Sequence, residues 1–94
     1  MDFSGQTVVV TGGAQGIGRA CGEHMAKHGG RIAIWDRDAD LAQATANEMG
    51  QGAIAFGVDV SDWDSVCAAR DATLDATGQI DVAVNSAGIA GSNA

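Results

Sequence analysis

The residues best placed for chemistry are the glycines that follow a run of β-branched residues: Thr7-Val8-Val9-Val10-Thr11-Gly12-Gly13-Ala14-Gln15-Gly16-Ile17-Gly18. The run has the make-up of a strand buried on both faces, and from Gly16 onward the apolar positions recur with helical spacing. Glycines allow the chain to turn sharply and a ligand to approach the backbone closely. The unpaired amides and positive dipole end of the following helix then favour an anion, above all a phosphate. Gly12, Gln15, Gly16, Ile17 and Gly18 are the candidate contacts. The spacing is Gly12-x3-Gly16-x-Gly18, not Gly-x-Gly-x-x-Gly, and alone it fits a plain strand-to-helix turn as well as a phosphate cradle.

Three later positions have compatible chemistry. Asp36 ends a second apolar run, 20 residues after Gly16, near the roughly 20-residue separation at which an acidic side chain meets the ribose of a dinucleotide. A carboxylate there accepts from both ribose hydroxyls and repels a 2′-phosphate, so the pattern favours NAD over NADP. Arg37 is the one charge that argues the other way. Asp59 and Val60 end a third run and offer a carboxylate and an amide to an adenine edge, although Asp at such a place also serves as a cap. Asn85-Ser86-Ala87-Gly88 follows a fourth run; its small residues let backbone pass close beneath a ribose, and Asn85, Ala87 and Gly88 join the candidates.

These positions need elements to hold them. The strands read as the opening valine run, Arg31–Asp36, Ala53–Val58 and Ile80–Val84, the last expected to be buried on both faces. Helices are expected from Gly16 to His28, from an Asp38 or Asp40 cap to Gly50, and from a Ser61 cap through Asp62–Thr77 to Gly78. The order βαβαβαβ with right-handed crossovers gives an α/β fold, a doubly wound parallel sheet in the order 3-2-1-4. The chain reverses between the first and fourth strands, and such sheets bind ligands at the carboxyl ends there.

The composition sets bounds. Ninety-four residues make one small domain, and 46% hydrophobic with 18% charged residues suits a globular chain. A net charge of −7 with five basic residues disfavours nucleic-acid or anionic-membrane partners. No apolar run reaches the length of a membrane span, and the first residues lack the parts of a signal peptide, so a cytoplasmic protein is expected. Cys21 and Cys67, on different helices, should be reduced and lie on opposite faces of the sheet. Cys21, His24 and His28 share a helix face, but they fall on or beside the packing stripe with no fourth ligand, and no metal site is expected.

Taken together, Thr11-Gly12-Gly13-Ala14-Gln15-Gly16-Ile17-Gly18, Asp36, Asp59-Val60 and Asn85-Ser86-Ala87-Gly88 resemble the amino-terminal half of the short-chain dehydrogenases/reductases, over essentially the whole chain. The resemblance implies a Rossmann-type fold, a nicotinamide cofactor, an alcohol or ketone as small-molecule substrate, hydride transfer, and a homo-oligomer, commonly a tetramer. Ser86 departs from the family's Asn-Asn-Ala-Gly. The family's catalytic serine, tyrosine and lysine have no match here, and the chain holds no tyrosine. No catalytic residue is therefore assigned, and residues 1–94 are expected to be the dinucleotide-binding part of a single domain, truncated before its catalytic half. The alternative is a nucleotide-binding module that stands alone without catalysis. A methyltransferase using adenosylmethionine shares the glycine turn and acidic strand end, but the glycine spacing and Asn-Ser-Ala-Gly argue against it.

Overall fold

A computed structural model describes residues 2–86. Four strands, β1 (Thr7–Thr11), β2 (Arg31–Asp36), β3 (Ile54–Gly57) and β4 (Val82–Asn85), alternate with α1 (Gly16–Lys27), α2 (Ala39–Met49) and α3 (Trp63–Thr77). All pairings are parallel, in the order β3-β2-β1-β4. The expected doubly wound topology is present.

Alternation along the strands sorts side chains into two layers. Val8, Val10, Ile32 and Ile34 are buried on one face with Ala26 of α1 and Ala42 and Ala46 of α2, while Val82 and Val84 of β4 pack at the margin of this core. Val9, Ala33 and Trp35 face the other way, against Ala69 of α3 and Val58. Small alanines on the helices let them sit close to the bulky strand residues. Cys21 and Cys67 ride on helices on opposite faces, both as free thiols.

Two expectations are corrected. Asp62, not Ser61, caps α3, its side chain accepting from the Asp64 amide. The reason is local: both the amide and the hydroxyl of Ser61 donate to Asp59 Oδ1, at 3.0 and 2.6 Å. Strand β4 is not buried on both faces either. Val82 and Val84 are half-buried, whereas Ala83 and Asn85 are exposed, because α3 lies over β1 and β2 and leaves that side of β4 open. At the other end of the sheet, the Asp81 carboxylate accepts from the Thr7 amide at 2.8 Å and ties the start of β4 to β1.

Candidate nucleotide site

The turn after β1 begins inside the sheet's own hydrogen bonding, with the Gly12 amide donating to the Trp35 carbonyl at 2.7 Å. Gly12 and Gly16 then take φ of +67° and +63°, a region costly to residues with a Cβ. Gly18 is required for a different reason. A Cβ there would run into the Gly12 carbonyl and the Ser86 hydroxyl, so only glycine lets α1 descend onto the turn. Gln15 is the N-cap of α1, but its side chain makes no capping bond, and the first turn holds no acidic residue. Gln15 therefore leaves the opening amides of the helix without a side-chain cap, with the helix dipole behind them.

The carboxylate of Asp36 lies beside this turn. Its Oδ2 accepts from the Ala14 amide at 3.1 Å and its Oδ1 from the Asp38 amide at 3.0 Å. Two bonds of this kind fix the group's orientation and leave further lone pairs open, since a carboxylate has about four acceptor sites. Next in line, Arg37 is 80% exposed and stands 4.0 Å from the Asp59 carboxylate. An ion pair this open contributes little. Hydrogen bonds from Ser61, first from its side chain and then from its amide, hold the Asp59 carboxyl below the usual carboxylate range.

At the end of β4, the Thr11 hydroxyl donates to Asn85 Oδ1 at 3.0 Å and accepts from the Ser86 amide at 3.2 Å, while the Ser86 hydroxyl donates to the Thr11 carbonyl. Asn85 is thus engaged in the seam between β1 and β4, and Ser86 closes one side of a cavity of about 710 Å³ at the carboxyl ends of the strands. Its lining brings together Gly12, Gln15, Gly16, Ile17, Gly18, Asp36, Arg37, Asp59 and Val60 of the expected set. Asn85 is outside that lining, and Ala87 and Gly88 lie outside the described residues.

The model of the short chain dehydrogenase family matches residues 6–94. The chain belongs to that family. Its relatives include the sorbitol dehydrogenase of Cereibacter sphaeroides, 42% identical over 95% of this chain and 35% of the relative. The D-threitol dehydrogenase of Mycolicibacterium smegmatis is 46% identical over 94% of this chain and 35% of that protein. Among solved structures, a 3-ketoacyl-(acyl-carrier-protein) reductase from Brucella melitensis complexed with NADH superposes with a TM-score of 0.84, at 33% identity over 87% of this chain and 34% of its own. The chain thus spans about a third of the length of the relatives it matches.

In this family member, the cavity includes three residues that motif spacing did not point to: Trp35, Val58 and Ser61. Trp35 is 7% exposed and donates from Nε1 to the Thr73 hydroxyl at 3.1 Å, while that hydroxyl donates to the Ala69 carbonyl. Its place in the alternation of β2, one residue before Asp36, was the available signal. Ile17, at the start of a helix whose stripe should be buried, is instead 65% exposed at the cavity. On α1 the His24 and His28 rings lie against each other with centroids 4.6 Å apart. Among the described residues no group of three or more His, Cys, Asp and Glu side chains is arranged to hold a metal ion, and no helix is long and apolar enough to cross a membrane.

Proposed function

We propose that this chain is the cofactor-binding half of a longer NAD-dependent oxidoreductase, one that transfers hydride between a nicotinamide and a small alcohol or ketone. The observation that carries this reading is the Asp36 carboxylate, held by two backbone amides at the cavity beside an uncapped, glycine-lined helix start. The donor set fits a dinucleotide. Amides of Gly16 to Gly18 take the pyrophosphate, the open lone pairs of Asp36 take the two ribose hydroxyls, and Asp59 with the Val60 amide takes the adenine edge. The bound nicotinamide would supply the hydride. Removal of a proton from the alcohol needs a further acid or base, and the tyrosine that the family resemblance implies for that role is not among these 94 residues.

The proposal extends to a homotetramer in the cytoplasm, with NADP the weaker ligand. Asp36→Ala should weaken NADH binding by about 1.5–3 kcal/mol through lost charged hydrogen bonds, as read by calorimetric titration. Unchanged affinity would refute the ribose assignment.

The absent tyrosine also keeps a second reading open, a nucleotide-binding module without catalysis. Following reduced-nicotinamide absorbance with a panel of polyols, secondary alcohols and ketones separates the two. Turnover with NAD by the full polypeptide supports the enzyme, binding without turnover supports the module, and absence of dinucleotide binding contradicts both.

A further inference from the structure

Thr45 and Thr73 are both buried threonines on helices, yet they use their hydroxyls differently. Thr73 donates back along its own helix α3, to the Ala69 carbonyl at 2.7 Å, the usual local bond of a helical threonine. The Thr45 hydroxyl reaches out of α2 instead and donates to the Ala14 carbonyl in the glycine turn at 2.8 Å, 31 residues earlier in the chain. Thr45 is 1% exposed and Ala14 0%. A carbonyl buried this deeply depends on its protein donor, because solvent cannot replace it.

Ala14 is gripped on both sides. Its amide donates to the Asp36 carboxylate at 3.1 Å, which fixes the peptide unit shared with Gly13, and the Thr45 bond fixes the unit shared with Gln15. The C=O and N–H of a trans peptide point in opposite directions. With the Ala14 carbonyl drawn toward α2, the Gln15 N–H is turned away from that helix, and Gln15 lines the cavity whereas Thr45 does not. We infer that Thr45 is a positioning residue for the cofactor's pyrophosphate: from beneath the turn it presets the Ala14–Gln15 peptide, and with it the approach of the turn's amides to the anion. This deepens the dinucleotide reading and rests on it.

Two substitutions separate the hydroxyl from the space it fills. Thr45→Val keeps the shape and removes the donor, which frees the Ala14 carbonyl to swing. Thr45→Ser keeps the donor and loses only a methyl group. The full polypeptide is titrated with NADH by calorimetry and with adenosine, which carries base and ribose but no phosphate, by NMR. Thr45→Val should weaken NADH binding about tenfold, the order of one hydrogen bond to a charged group, and leave adenosine binding unchanged. Thr45→Ser should bind NADH nearly as the unsubstituted protein does.

Should Thr45→Val fail to fold, Thr45→Cys takes its place, because a thiol is only a weak donor; it too should weaken NADH and spare adenosine. Parallel losses for NADH and adenosine would mark a purely structural role and overturn the inference. So would an NADH loss in Thr45→Ser as large as that in Thr45→Val, or no loss in Thr45→Val at all. In each of these cases the dinucleotide reading stands so long as the unsubstituted protein binds NADH. Failure of the unsubstituted protein to bind NADH overturns both together.

Discussion

The two faces of the sheet are built to different completeness. One carries α1 and α2, and beneath them Val8, Val10, Ile32 and Ile34 are fully or almost fully buried, with β4 contributing Val82 and Val84 to the margin. The other carries α3 alone, over Val9, Ala33 and Trp35, while Ala83 of β4 on that side is exposed. Both sides add a buried directional bond to their apolar packing, but under different amounts of apolar cover. On the two-helix face the Thr45 hydroxyl of α2 donates to the Ala14 carbonyl at 2.8 Å beside the interdigitated valines and isoleucines. The single-helix face is fixed by a directional bond, from Trp35 Nε1 to Thr73, and its Val58 and Trp35 continue into the lining of the cavity.

Ile34 is fully buried in the core of the two-helix face. Its replacement by Ala should cost about 2–5 kcal/mol, the transfer energy of the lost methyl groups plus the cavity they leave, read by denaturant titration. Thr73→Val should cost less, about 1–3 kcal/mol, by leaving the buried Trp35 N–H without its acceptor, with an accompanying change in tryptophan fluorescence. A Thr73→Val loss larger than that of Ile34→Ala would show that the single-helix face carries more of the stability than its apolar content suggests.

The open strip on β4 bears on the same contrast. In the 94-residue chain, Ala83→Lys should shift stability by no more than about 0.5 kcal/mol, as at other exposed positions. If the chain is part of a longer enzyme, further structure covers this strip, and the same substitution in the longer polypeptide should destabilise clearly. An equal, small effect in both would argue that the module stands alone.

The smallest effect is at the rim. Asp59 titrates below the usual carboxylate range chiefly because the Ser61 hydroxyl donates to it. A depressed folded-state value adds stability that is fully present above the unfolded carboxylate range and is lost as pH falls through the folded value. Ser61→Ala should move the Asp59 carboxyl back toward its ordinary value in an NMR titration and flatten that part of the acid unfolding profile. An unmoved Asp59 would mean that the Ser61 amide alone sets it.

Much of this was readable from residue types and spacing. Arg31–Asp36 matches β2 to the residue, since glycines before it and polar residues after it left no ambiguity, and the alternation of elements dictated the strand order. What escaped were features set by competition between neighbours. Ser61 has cap chemistry, yet Asp59 two residues earlier takes its hydroxyl and passes the cap to Asp62. Strand β4 has the composition of a two-sided core strand, but composition does not say how far a helix reaches across a sheet. The outline of the site was equally legible in Gly12, Gly16, Gly18, Asp36 and Asp59. The engagement of Asp36 with Ala14 was not, because it arises only when the glycine turn, 22 residues away in sequence, meets the end of β2.

Everything proposed for this chain depends on the carboxyl ends of the strands, and not some other surface, receiving a dinucleotide. Amide hydrogen exchange with and without NADH examines that dependence residue by residue. Exchange should slow at Gly16, Ile17 and Gly18, at Arg37 and at Val60, with weaker protection when NADPH is used at the same concentration. Protection at the opposite end of the sheet, around Gly5, Gln6, Arg31 and Gln79 where a smaller cavity of about 240 Å³ lies, with the glycine turn unchanged, would contradict it.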